Sequence, residues 1–209
     1  MPGRRAVAIW GALALVAATP LLLAANSPLL AWRGPVHIGA SFAGIAAFCL
    51  MPVHPLLAAR ALPGLTVTRH GRLHRILGSC VLVLIGLHVA GLWITSPPDV
   101  IDALTFTAPT VFSAWGVIAM WAAVAAAVAA GLRRALPNRT FRLTHTGLVA
   151  IVIVGTSLHA VMLYGLMGTV LKGALSALAL ASFAVAVFRL RTGRLLWKRP
   201  NRPQSRPNS

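Results

Sequence analysis

Long apolar runs alternate with short polar breaks along the whole chain. Six runs approach the roughly 20 residues that a helix needs to cross a bilayer, at about 6–25, 36–58, 73–95, 110–131, 143–165 and 170–188. The breaks collect Pro, Asn, Ser and Arg, the composition of turns at a membrane surface. The second run is the weakest, because Pro52 and Pro55 interrupt its end with His54 between them. The pattern predicts an all-α, polytopic membrane bundle of about six transmembrane helices over residues 1–188. Residues 189–209 read as a basic, proline-rich and disordered tail.

Composition strengthens this reading. Of 209 residues, 58% are hydrophobic and 10% charged, with a mean hydropathy of +0.82. A soluble domain carries about 25% charged residues. Asp99 and Asp102 are the only acids, so polar material is too scarce to cover a water-facing surface and lipid must be the main solvent. The net charge of +17 does not point to nucleic acid, since the basic residues sit in short clusters between apolar runs instead of forming an interleaved patch.

Those clusters give the topology. Arg4 and Arg5 precede the first run. Arg60, Arg69, Arg72 and Arg75 lie between the second and third, Arg133, Arg134, Arg139 and Arg142 between the fourth and fifth, and the rest follow the sixth. The opposite side holds only Arg33 and Lys172, with both acids. Positive charge stays inside, which predicts a multi-pass plasma-membrane protein with both termini cytoplasmic. The first run could be a signal sequence, but its length and the charge alternation favour an uncleaved helix. Cys49 and Cys80 both fall in apolar runs and read as small core residues.

Ionisable groups at membrane depth are costly and mark functional sites. The third run contains His74 and His88, the fifth His145 and His159, each pair 14 positions apart. At 100° and 1.5 Å per residue, that interval ends about 40° short of four full turns and about 21 Å along the axis. Both imidazoles of a pair thus leave one helix face, one near each leaflet of a core about 30 Å thick. The two helices run parallel, so His74 faces His145 at the inner level and His88 faces His159 at the outer. Two opposed nitrogens suit an octahedral iron whose equator is filled by porphyrin. Zinc would need a tetrahedral set that neither level supplies. The expectation is therefore two haems b with these four histidines as axial ligands. A proton relay or packed polar residues is the competing account.

Neighbouring residues say less. Gly78 and Gly155 lie one turn from His74 and His159, and Gly86 and Gly147 lie near His88 and His145; they make room for a flat macrocycle or simply for helix packing. Arg72 and Arg75, with Arg69 and Arg142, flank the inner level where haem carboxylates need cations, although charge topology alone accounts for them. His70 reads as a loop residue, solvated or near a propionate. His37 and His54 are 17 positions apart, about 100° out of phase, and cannot repeat the ligand pattern.

The paired histidines on the third and fifth runs, with His74-Arg75-Ile76-Leu77-Gly78 opening the first of them, resemble the ferric reductase-like transmembrane superfamily over roughly residues 36–188. That superfamily includes ferric-chelate reductases, NADPH oxidases and the haem-binding subunit of a methionine sulfoxide reductase system. The resemblance implies His74 and His145 on an inner haem, His88 and His159 on an outer one. Full-length ferric reductases continue into a flavin and nicotinamide domain. This chain stops soon after the sixth run and shows no glycine-rich dinucleotide fingerprint, so flavin is expected only through a partner. The predicted activity is one-electron transfer across the bilayer, an oxidoreductase component without its own NAD(P)H site. Electrons enter from a cytoplasmic flavoprotein or quinol, cross between Val81–Ile85 and Val149–Gly155, and leave to an extracytoplasmic acceptor or reductase. The alternatives are a quinol-oxidising cytochrome b subunit and a non-haem transporter or scaffold.

Overall fold

A computed structural model describes residues 3–197, with side-chain surroundings through residue 192. These residues form eight α-helices: α1 (Arg4–Ala25), α2 (Pro35–Leu50), α3 (Val53–Ala58), α4 (Val67–Thr95), α5 (Pro97–Leu104), α6 (Val111–Gly131), α7 (Asn138–Met162) and α8 (Thr169–Trp197). No strand occurs among the described residues. Six spans are long and apolar enough to cross a membrane, with α2 and α3 counting as one from Pro35 to Ala58. The six-helix, all-α reading stands.

Its details shift where local chemistry intervenes. The second run breaks at Met51–Pro52, because Pro52 and Pro55 have no N–H to donate to the preceding turn. The short α3 this creates carries His54 inward. A further amphipathic helix, α5, fills the break after the third run. The last helix continues to Trp197, through residues 189–197 that read as tail; residues 198–209 lie outside the described part. Thr66 caps α4 by accepting from the Arg69 amide at 3.3 Å, so α4 begins before the apolar run and takes in His70.

The packing has two strong pairs. α2 lies along α4 and α6 along α7, while α8 packs on α7 and α3, and α1 on α2. A buried cluster of Phe48, Cys49, Met51, Ile153, Met167, Leu175 and Ala179 joins α2, α7 and α8. In contrast, α4 and α7 make almost no direct contact, and α4 buries only His70 and Gly91. Such a helix is held along one edge and turns the rest of its surface to lipid or to a gap. Cys49 is buried as expected, but Cys80 on α4 is exposed and is not a core residue.

Candidate functional site

The gap between α4 and α7 holds the four histidines. At one end the rings of His74 and His145 face each other with centroids 6.5 Å apart and planes at 71°. A metal–imidazole bond of about 2 Å on each side, plus a ring radius of about 1 Å, puts two trans ligands about 6 Å apart. At the other end His88 and His159 line one cavity of 710 Å³, within the roughly 300–1,000 Å³ of small-molecule and cofactor sites. The same order along both helices means that α4 and α7 run parallel.

Each of the four rings points its Nδ1 at a backbone carbonyl on a neighbouring element. His88 donates to Ala40 at 2.8 Å and His159 to Phe112 at 2.8 Å. His145 donates to Ala126 at 3.1 Å and His74 to His54 at 3.3 Å. The acceptor fixes the tautomer: with the proton on Nδ1, the Nε2 lone pair is free, which is how iron- and zinc-ligating histidines are commonly held. Among the described residues no three His, Cys, Asp or Glu side chains converge as a metal-ion cage. The donor set therefore suits a metal that brings its own equatorial ligands, and the residues present fit haem.

The supporting carbonyls form a pattern that the histidine spacing alone did not reveal. Acceptor and histidine are 48 residues apart for Ala40–His88 and 47 for Phe112–His159. They are 20 apart for His54–His74 and 19 for Ala126–His145. Thus α2–α3–α4 and α6–α7 repeat one arrangement, in which the first element supplies two carbonyls and the second supplies two histidines. Ala40-Ser41-Phe42-Ala43-Gly44 and Phe112-Ser113-Ala114-Trp115-Gly116 are its trace in sequence, sharing Ser and Gly at matching places.

Those glycines are seats for the His88 and His159 rings. A Cβ at Gly44 would stand 2.9 Å from the His88 Nδ1, and one at Gly116 would stand 2.7 Å from that of His159. The glycines near the histidines on their own helices serve otherwise. Gly78 leaves space for His54, Gly155 brings α7 against Ala119 and Trp115, and Gly86 and Gly147 face open space. Of the two readings offered for these glycines, Gly155 follows the packing one.

The remaining candidates divide. Arg72 and Arg75 are exposed on the first turns of α4, close in sequence to His74. His70 is not solvated: it is 3% exposed, with Nδ1 bonded to the Thr66 carbonyl at 3.0 Å and Nε2 without a partner. His37 and His54 indeed form no pair. His37 lines the His88/His159 cavity, whereas His54 stacks on His74 with centroids 4.0 Å apart. Helix periodicity missed His54 because a proline break, not helix phase, carries it to the site. Arg33 and Lys172 line the His88/His159 cavity together with Asp99 and Asp102. Lys172 is 5% exposed, and its Nζ donates to the Leu163 carbonyl just beyond α7.

The model of one protein family, described as ferric reductase like transmembrane component, matches residues 43–156. This stretch covers the repeat from Gly44 to Gly155, including three of the four paired histidines. Comparison with curated proteins and with solved structures gives no match.

Proposed function

Because the chain belongs to the ferric reductase-like transmembrane family, we propose that it is a haem b protein that carries single electrons across the bilayer through two bis-histidine sites. The observation that carries this reading is the set of four Nδ1–carbonyl bonds, each of which leaves the Nε2 lone pair available to a metal. The same Nδ1–carbonyl geometry recurs at all four rings and in both halves of the chain, which favours a shared ligand role over a proton relay or packed polar residues.

His74 and His145 hold the inner haem and His88 and His159 the outer one. Bound haem supplies a reversible one-electron couple, and the protein's part is to fix the ligands, their planes and the charges around them. Arg72 and Arg75 provide cations for the inner carboxylates. At the outer site Arg33 and the buried Lys172 are the lysine and arginine that line the cavity, and they fill the same role. The apolar stretches Val81–Ile85 and Val149–Gly155 separate the two levels and exclude water from the path. Electrons enter at the cytoplasmic face of the plasma membrane from a flavoprotein or from quinol, and leave to an extracytoplasmic acceptor or partner reductase.

Purified protein from haem-sufficient cells is expected to give a b-type band in a reduced-minus-oxidised spectrum, with two haems per chain. His74→Ala or His145→Ala should remove one haem and leave the other. His88→Ala or His159→Ala should remove the complementary one. A colourless, folded wild-type protein would refute the reading.

A further inference from the structure

The inner pair has a feature that the outer pair lacks. Each of its ligand rings has another ring stacked on it. His54 lies over His74 at 4.0 Å with planes 20° apart, and Phe141 lies over His145 at 5.4 Å with planes 23° apart. Between these two stacks the ligand planes cross at 71°. At the outer pair the one aromatic neighbour, Phe112, meets His159 edge-on at 65°, and no ring stacks on His88 among the described residues.

The repeat supplies an internal control. His54 and Ala126 occupy equivalent places, and each gives its backbone carbonyl to an inner ligand. Alanine suffices for that bond, so the His54 imidazole is not needed to make the carbonyl available. The ring is nonetheless built in. Its Nε2 donates to the His74 carbonyl at 3.2 Å, and Gly78 leaves the space it occupies, since a Cβ there would lie 3.1 Å from that nitrogen. Phe141 is also braced, with the Arg133 guanidinium 5.5 Å above its ring.

A ligating imidazole can turn about its terminal torsion, which is broad for histidine. A single hydrogen bond restrains the plane only loosely, and the His74 bond is the longest of the four at 3.3 Å. A stacked ring supplies what that bond lacks. Resting on the haem reading above, we propose that His54 and Phe141 are positioning residues that hold the planes of His74 and His145 crossed. Crossed axial planes keep the two π-type iron d orbitals close in energy, and the oxidised low-spin iron then has one very large g value. Parallel planes split those orbitals and give a rhombic spectrum. The ring pair thus sets the electronic state of the inner site without touching the metal.

The test is electron paramagnetic resonance of the oxidised, haem-loaded protein, with haem content measured on the same samples. The inner signal is identified by its loss in His145→Ala. Wild type should give a strongly anisotropic inner signal. His54→Ala and Phe141→Ala should each keep both haems, lower the largest inner g value and leave the outer signal in place. His54→Phe, which restores a stacked ring without the imidazole, should return the inner signal toward wild type. An inner signal unmoved in both alanine variants overturns the proposal. So does a His54→Phe signal as shifted as that of His54→Ala, and so does loss of the inner haem from both alanine variants, because the rings would then serve binding and not orientation. Wild-type protein without haem would instead sink the reading on which the proposal rests.

Discussion

The two halves of this protein do one job with different materials. In α6–α7 the carbonyl for His145 comes from Ala126, on a continuous α6. In α2–α3–α4 it comes from His54, beyond the break at Pro52. His88 and His159 are treated alike, each seated on a glycine and bonded to a carbonyl one turn earlier. What both halves retain is therefore the backbone: a carbonyl in place for each imidazole, and space for the ring at the outer level. What they vary is the side chain around the inner ring. A metal ligand's acceptor can be supplied by almost any residue if a helix holds it, whereas the plane of the ring depends on what is packed against it.

If the glycine seats are equivalent, filling either should have the same outcome, and this is the largest effect expected. The Cβ of Gly116→Ala would fall 2.7 Å from the His159 Nδ1 and that of Gly44→Ala 2.9 Å from the His88 Nδ1. Neither ring can stay in place. Each variant should lose most of the outer haem, about half the total absorbance, while the inner signal persists. Haem-to-protein ratio with the low-temperature spectrum checks this. Loss of outer haem from one variant alone would break the equivalence of the two halves.

A second contrast lies in helix contact. Gly91 faces Ala40, whose Cβ would be 2.6 Å from a Cβ at position 91, and both partners are rigid. Gly155 faces Ala119 and the Trp115 carbonyl at 3.1 Å, a gap that a small shift can relieve. Gly91→Ala should therefore destabilise by about 1–3 kcal/mol, the usual range for overpacking, and Gly155→Ala by less. Thermal unfolding in detergent measures the order. Gly91→Ala should also disturb the outer spectrum, since the displaced Ala40 is the residue whose carbonyl holds His88.

How much of this could be read from the chain follows from which interactions are periodic. The six spans and the paired histidines are legible because hydropathy and helix phase act over 14 to 20 residues of continuous backbone. Gly44 and Gly116 were legible in principle, from the shared Ser-x-x-Gly, but only once the carbonyl acceptors revealed which segments correspond. His54 was not. Its position depends on a bend whose angle no local rule fixes, and on a reciprocal bond with His74 that spans 20 residues. His70 looked solvated because it neighbours Arg69 and Arg72, yet the cap at Thr66 winds it into α4 and buries it.

The smallest effect separates the charges at the two ends. Arg72 and Arg75 are exposed where solvent and salt screen them, so Arg75→Gln should move the inner midpoint potential little. Lys172 is buried against the outer cavity with a carbonyl as its hydrogen-bond partner. A cation there favours the electron-rich state of whatever the cavity holds. At about 10 Å and an effective dielectric of about 20, one charge contributes about 1.7 kcal/mol, on the order of 70 mV for a one-electron couple. Lys172→Met should therefore lower the outer potential by tens of millivolts, and Lys172→Arg should recover part of it. Haem-free protein should respond with the opposite sign, because an ammonium with one carbonyl partner is costly to bury and methionine is not. Spectroelectrochemical titration gives the first result and thermal unfolding of haem-depleted protein the second. An outer potential that stays fixed in Lys172→Met, with Arg75→Gln moving the inner one more, would invert the contrast between a buried outer cation and a screened inner pair.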